Sequence, residues 1–426
     1  MDKRPLAVLG LGSLIVAATS GMPFAGDLQW EERVAAGPSA RCEYGFAYAG
    51  NRQVTVLHGG SADLSFTAVN PQTWEWNGSS WTLANMGGPS ARCDQAMAFD
   101  SFRNLVAIFG GYNGAYLGDT WEWNGTSWTN ANATDPGPRA DSFMAFDSGR
   151  GFMVLFGGQG STGAIRGDTW EYNGAWSQRS TTGPPARWIQ RMAYDSDRGV
   201  TVMFGGARST GLLDDTWEWD GATWQQIMIP GPAARYGHAM AYDSDRHVVV
   251  LFGGQFGFNF GVGVLGDTWE YDGAAWTQVP IAGPSARTFV KMVYDQTRHR
   301  MVLFGGYDGA QMGDDTWELV DGSITGVDGA EAPSGPIMPV HNTPNPFNAQ
   351  TAIRYELPSD SRARLTIYDV QGAVVRRLID RALPAGIHLD VWDGRDQRGV
   401  EVASGTYYYR LTARGIDQKR RMVLVR

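Results

Sequence analysis

One pattern is written six times along this 426-residue chain. An arginine opens it, at Arg41, Arg92, Arg139, Arg187, Arg235 and Arg287, and a second stands eleven residues later, at Arg52, Arg103, Arg150, Arg198, Arg246 and Arg298. Seven residues further on a Gly-Gly pair begins, at Gly59, Gly110, Gly157, Gly205, Gly253 and Gly305. A loop of varying length follows, then Thr-Trp-Glu with its tryptophan at Trp74, Trp121, Trp170, Trp217, Trp269 or Trp317. Five copies add another tryptophan, at Trp81, Trp128, Trp176, Trp224 and Trp276. Such self-similarity in a fixed register specifies an array of like units.

Each unit of 47 to 52 residues holds four strand-like runs; in the fifth they read HAMAYD, HVVVLFGG, DTWEYDG and AWTQV. Between the third and fourth runs stands Asn-Gly or Asp-Gly in every copy, from Asn77-Gly78 to Asp321-Gly322. That dipeptide predicts a two-residue type I′ hairpin. The expected unit is a four-stranded antiparallel meander. A lone meander leaves its faces bare, whereas six in a ring bury them. In the first run, large residues such as Met240 and Tyr242 share one face and the intervening Ala241 the other. This large-small alternation suits stacked blades and reads as core.

The sixth unit departs from the pattern. Ile324 stands where its second tryptophan belongs, while Trp30 lies eleven residues before Arg41, the interval that separates each second Trp from the next Arg. Residues 28–34 are therefore expected to supply the outer strand of the sixth unit and close the ring.

A strand ending in Gly-Gly, an Asp-Thr-Trp segment, a spaced Trp and the Arg235-Tyr236-Gly237-His238 opening resemble the Kelch family. The resemblance implies an all-β fold, a six-bladed Kelch-type β-propeller over residues 26–325. The repeated Arg, and Asp119, Asp168, Asp215, Asp267 and Asp315 before each Thr-Trp, are expected to be structural.

The formal charge is −9. Residues 340–426 carry 14 Lys and Arg against 9 Asp and Glu, which leaves residues 26–339 at −15. An acidic propeller argues against nucleic acid or an anionic membrane as its partner. Residues 1–25, with Lys3-Arg4 before the apolar run Leu6–Ala18, read as a signal peptide. No other segment is long and apolar enough to span a bilayer. The expected location is therefore secreted, extracellular or on the outer-membrane surface. Cys42 and Cys93 follow the first Arg in adjacent units. They are candidates for a disulfide, with two free thiols as the alternative.

Residues 326–343 read as a Gly/Pro/Ala-rich linker. Beyond it, residues 344–426 carry about seven short alternating strands, the pattern of a small Ig-like β-sandwich. Pro344-Asn345-Pro346-Phe347-Asn348, Trp392-Asp393-Gly394 and Ser404-Gly405-Thr406-Tyr407 resemble the Ig-like domain of the flagellar hook-capping protein family. They are equally similar to type IX secretion sorting domains, which end in a basic-hydrophobic strand like Arg421–Arg426. Both resemblances imply a bacterial envelope, and secretion or surface attachment through envelope machinery.

A propeller gathers its long loops on one face, so a ligand site is expected there. Candidate lining residues are Glu43, Tyr44, Asp94, Gln95, Asp141, Gln190 and His238 from the connections, with Phe66, Tyr112, Tyr116, Arg208, Phe256, Phe258, Phe260 and Tyr307 from the loops. Acids, amides and aromatics suit protein or glycan. The six histidines show no metal-ligand spacing, and no nucleotide loop or nucleophile elbow is present. No cofactor or metal is expected. A binding protein is the leading reading. The alternative is a secreted glycan-active enzyme: a hydrolase in which Glu43, Asp94 and Asp141 converge as acids, or an oxidase like the copper-radical Kelch-type propellers, for which the sequence shows no convincing Tyr/His/Cys set.

Overall fold

The computed structural model describes residues 28–133, 136–258, 262–321, 341–343, 347–348, 350–357, 360–369, 373–413 and 416–425. The proposed signal peptide lies outside these residues, as does most of the linker. Every regular element among them is a strand.

Six four-stranded antiparallel sheets form the N-terminal unit. Their innermost strands are Gly45–Ala49, Ala96–Asp100, Phe143–Asp147, Arg191–Asp195, Ala239–Asp243 and Lys291–Asp295. Each packs beside the innermost strand of both neighbours, and the first packs beside the sixth, so the sheets are the blades of a closed six-bladed propeller. In the sixth blade the outer strand is Leu28–Arg33, paired with Thr316–Asp321 in the register Trp30↔Leu319. Trp30 Nε1 donates to Thr268 Oγ1 of blade five at 3.4 Å. Trp81, Trp128, Trp176, Trp224 and Trp276 make the same bond to the Thr-Trp-Glu threonine of the blade before.

The repeated residues are the joints of this ring. Each first arginine is buried and donates to the carbonyl of its own blade's first glycine, as Arg92 Nη1 does to Gly110 at 3.0 Å. In blades two to six it also forks onto the Asp before Thr-Trp, which in turn accepts from the tryptophan indole. Blade one has Gln72 in that place. The arginine carbonyl accepts from the second glycine of the preceding blade all round the ring, from Gly60→Arg92 at 2.9 Å to Gly306→Arg41 at 3.1 Å. Glycine is needed here: a Cβ on Gly59 would lie 2.4 Å from the Arg92 carbonyl oxygen, and its φ is +72°. Each second arginine bridges its own turn's Asp or its own Thr-Trp-Glu glutamate, as Arg103 bridges Asp100 and Glu122. In all blades but the fifth that glutamate accepts from the next blade's aromatic, as Glu75 does from Trp123 Nε1 at 3.1 Å; after Glu270 the corresponding residue is Leu319.

The first five Asn-Gly and Asp-Gly turns differ from the expected type I′; Gly322 of the sixth lies outside the described residues. In blade one Trp76 pairs with Trp81, leaving four loop residues. Gly78 has φ of +97°, but Asn77 is not among the residues with positive φ. The reason is an Asx bond: Asn77 Oδ1 accepts from the amides of Ser79 and Ser80, which holds the asparagine on the ordinary side of φ.

The C-terminal unit is a small β-sandwich. A three-stranded sheet (His341–Thr343, Thr351–Leu357, Gly386–Trp392) faces a four-stranded one (Val374–Leu383, Ser361–Tyr368, Gly405–Ala413, Ile416–Leu424). Phe347, Ile353, Tyr355, Leu365, Ile367, Trp392 and Tyr409 pack between them. The strand His341–Thr343 pairs with Thr351–Leu357, so the sandwich begins before residue 344, inside the stretch expected to be linker.

Candidate functional site

The connection from each first arginine to the innermost strand turns at the propeller axis. Its second residue after the arginine is Glu43, Asp94, Asp141, Ile189, Gly237 or Phe289, and all six have positive φ, between 50° and 66°. Their backbones link blade to blade: Asp94 N donates to Glu43 O at 2.9 Å, Asp141 N to Asp94 O at 3.0 Å, and Ile189 N to Asp141 O at 3.0 Å. Glu43 N donates to Phe289 O at 3.3 Å across the first-to-sixth junction. The ring therefore has an acidic arc on blades one to three and an apolar arc on blades four and six.

Two cations reach the acidic arc from the first residues of innermost strands. Arg191 Nη2 lies 3.4 Å from Glu43 Oε1, and Lys291 Nζ lies 3.9 Å from Glu43 Oε2. Lys291 Nζ also stands 3.4 Å from the Gln95 carbonyl. Both cations lie over the Phe143 ring, at 5.3 Å and 5.9 Å from its centroid. Glu43, Arg191 and Lys291 are buried, so the axial space at this level is filled by charged side chains joining opposite blades.

Burial and crowding govern the acids. Asp94 is pushed up to about 7, first by burial and then by Glu43. Asp141 is raised well above the carboxylate range by burial, Asp94 and Glu43. Burial lowers Lys291 to about 8, against the pull of Glu43. The Cys93 thiol lies 3.0 Å from Asp94 Oδ2, whereas Asp94 Oδ1 is buried with no hydrogen-bond partner. Tyr112 and Tyr116 meet edge to face at 5.4 Å beside this arc, and Asp141 and Asp94 both act on the Tyr116 hydroxyl.

The other expected site residues divide. Tyr44, Gln95, Gln190 and His238 are fully buried between blades and do not line a ligand space. Gln95 and Gln190 donate to the second-strand carbonyls of His58 and Phe156 in the preceding blade, each at 2.7 Å. The Tyr44 hydroxyl donates to the Phe304 carbonyl, and His238 packs on Phe204. Their position, one past the axial residue, points into the seam between blades. Arg208 is half-buried in a two-residue ribbon, Ala207–Arg208 with Gly211–Leu212. Tyr307 donates to Gly309 within its own loop at 2.9 Å. Cys42 and Cys93 are free, buried thiols rather than a disulfide; each sits in its own blade's bridge, to Ser61 and to Tyr112.

The fifth loop stands out. Its flanking strands run on to Val248–Gln255 and Val264–Tyr271, with Gln255 paired to Val264. This extended hairpin carries Phe256 and Phe258, 55% and 52% exposed, with Phe258 stacked on Tyr236 at 6.1 Å. Phe260 lies outside the described residues. Arg191, Lys291 and Phe143 complete the axial cluster and were not among the expected site residues. Their signal was a register slot, the fourth after the first arginine, that reads Gly45, Ala96, Phe143, Arg191, Ala239 and Lys291.

No curated protein matches the chain. A solved structure titled "Structure of YjhT" is similar to it with a TM-score of 0.53 and 14% identity, over 66% of this chain and 95% of that one. At that identity the likeness shows the propeller fold alone. Residues 343–416 match the FlgD Ig-like domain family, which places the C-terminal sandwich beside the Ig-like domains of that name.

Proposed function

We propose that this protein is an exported, surface-associated binding protein. The propeller, of Kelch type by its repeat, recognises protein or glycan on its loop face, and the Ig-like unit serves secretion or attachment to the envelope. The observation that carries the reading is the fifth hairpin, which extends beyond its counterparts and exposes Phe256 and Phe258. Exposed aromatic side chains on a projecting element are costly to keep in water and are the usual anchors of recognition surfaces. The basic C-terminal unit with an Ig-like match supports an attachment role for the other end.

The glycan-active enzyme is the weaker reading. Asp94 and Asp141 act on one another, and their raised pKa values suit proton transfer. A hydrolytic pair, however, works across an open cleft that admits substrate. Here Asp94 and Glu43 are buried, and Arg191 and Lys291 are engaged on Glu43.

A combined glycan and peptide array probed with the full chain lacking residues 1–25 tests the proposal. Specific capture of one ligand class is the expected result. Binding of none, or turnover of a captured glycan, overturns it.

A further inference from the structure

Three carboxylates, Glu43, Asp94 and Asp141, share the axial cluster with two cations, Arg191 and Lys291, and these are the charges that act on Asp94 and Asp141. Two cations serve three carboxylates here, and a buried polar group left without a partner is expensive. Glu43 takes both resident cations. Arg191 is further committed to the Phe143 ring. Asp94 is left with one oxygen bonded to the Cys93 thiol and the other, Oδ1, buried and unpartnered, on a side chain only 7% exposed. A buried carboxylate oxygen with no donor calls for one, and a ligand donor supplies it.

The surroundings narrow the ligand. Asp141 is only half-buried, so the acidic arc opens at blade three. Tyr112 and Tyr116, both half-buried, stand beside that opening with their rings edge to face. Phenol faces attract organic cations. Among the described residues no group of three or more His, Cys, Asp and Glu side chains is arranged to hold a metal ion. The charge of −15 over residues 26–339 favours approach of a basic partner.

We propose that Asp94 and Asp141, with Tyr112 and Tyr116 beside them, form a socket for one alkylammonium or guanidinium group. Its source is the Lys or Arg side chain of a protein partner or a free amine. The inference deepens the binding reading above and rests on it. The bound nitrogen donates to Asp94 Oδ1 and to the Asp141 carboxylate, and the ligand's methylenes lie against the tyrosine rings. The resident pair of Glu43 and Arg191 forms the floor.

The test uses the full chain lacking residues 1–25 and three randomised hexapeptide pools with a fixed central Lys, Arg or norleucine. A parallel arm uses n-butylamine alone. The socket predicts that the Lys or Arg pool binds at least about tenfold more tightly than the norleucine pool, the size of one charge-assisted hydrogen bond. Asp94→Asn with Asp141→Asn abolishes that preference; Asp141→Asn alone, at the half-exposed position, reduces it should the double variant fold poorly. Saturable butylamine binding without peptide preference supports the socket and assigns it to free amines. Preference among the peptides assigns it to a partner side chain. Equal binding of all three pools with no butylamine binding overturns the socket, as does a preference that survives both variants. If that residual peptide binding still falls when Phe256 and Phe258 become Ala, the loop-face reading stands without the socket.

Discussion

Glu43 and Arg191 pair across the propeller axis at 3.4 Å, three blades and 148 residues apart. Neighbouring blades are held by backbone bonds and tryptophan caps repeated in every unit, but this pair joins blade one directly to blade four. Lys291, on blade six, approaches the same carboxylate. Closure of the ring and the chemistry of its axis thus meet in one residue.

Removing one member of the pair leaves the other charge buried. Arg191→Met is expected to cost about 3–5 kcal/mol, whereas Arg191→Met combined with Glu43→Gln costs markedly less than the sum of the single changes. Urea unfolding of the four proteins of this cycle measures it. Additive losses would mean that the pair does not interact.

Stability is expected to fall as pH rises from about 4 to 7. Asp94 is held up to about 7 in the folded chain against 3.8 for an ordinary Asp, so the native state binds the extra proton over that range. The contribution is complete below the unfolded value and lost as pH passes the folded one, and Asp141 acts in the same direction. Lys291, lowered to about 8 from 10.5, has the opposite slope above pH 8. Melting temperature against pH, at constant ionic strength, should flatten between 4 and 7 in Asp94→Asn with Asp141→Asn.

Trp30 closes the sixth blade by packing on Phe252 at 5.3 Å and capping Thr268. Trp30→Ala is expected to lose about 3–5 kcal/mol, as large buried aromatics do. Deleting residues 26–36 should broaden the melting transition as well as lower it. A deletion that melts like the parent would contradict the closure.

Cys42 and Cys93 are buried thiols whose acidity is suppressed by burial, with Glu43 and Asp94 respectively adding to it. The native protein should resist a thiol reagent at pH 8, and two thiols per chain should react once it is denatured without reductant. A denatured chain with no reactive thiol would show a disulfide instead.

The scaffold was legible in the sequence because each joint demands one residue type six times. Only an arginine fork satisfies both Gly110 O and Asp119, and only glycine fits at Gly59, where a Cβ would lie 2.4 Å from the Arg92 carbonyl oxygen, so the register shows through. The axis was half legible. Glu43, Asp94 and Asp141 stood out as acids in one slot, but their cationic partners sit in a different slot that holds Gly, Ala or Phe in four blades. Repeat logic treats such variation as noise, while the pairing across the ring is a matter of closure rather than spacing. Tyr44, Gln190 and His238 misled because adjacent residues of one connection face different places, the axis and then the seam. Asn77-Gly78 misled because a side-chain bond, invisible to dipeptide preference, set the loop length.

The loop face is the proposed recognition surface, and calorimetry is its sharpest test. The strongest ligand from the array should be titrated into the parent, into Phe256→Ala with Phe258→Ala, and into Phe102→Ala. Phe102 is 62% exposed in the short turn between the first two strands of blade two, on the opposite face. The hairpin variant is expected to lose affinity at least tenfold, roughly 1.4 kcal/mol or more, and Phe102→Ala to lose none. Unchanged affinity in the hairpin variant, with loss in Phe102→Ala, would contradict the loop-face reading.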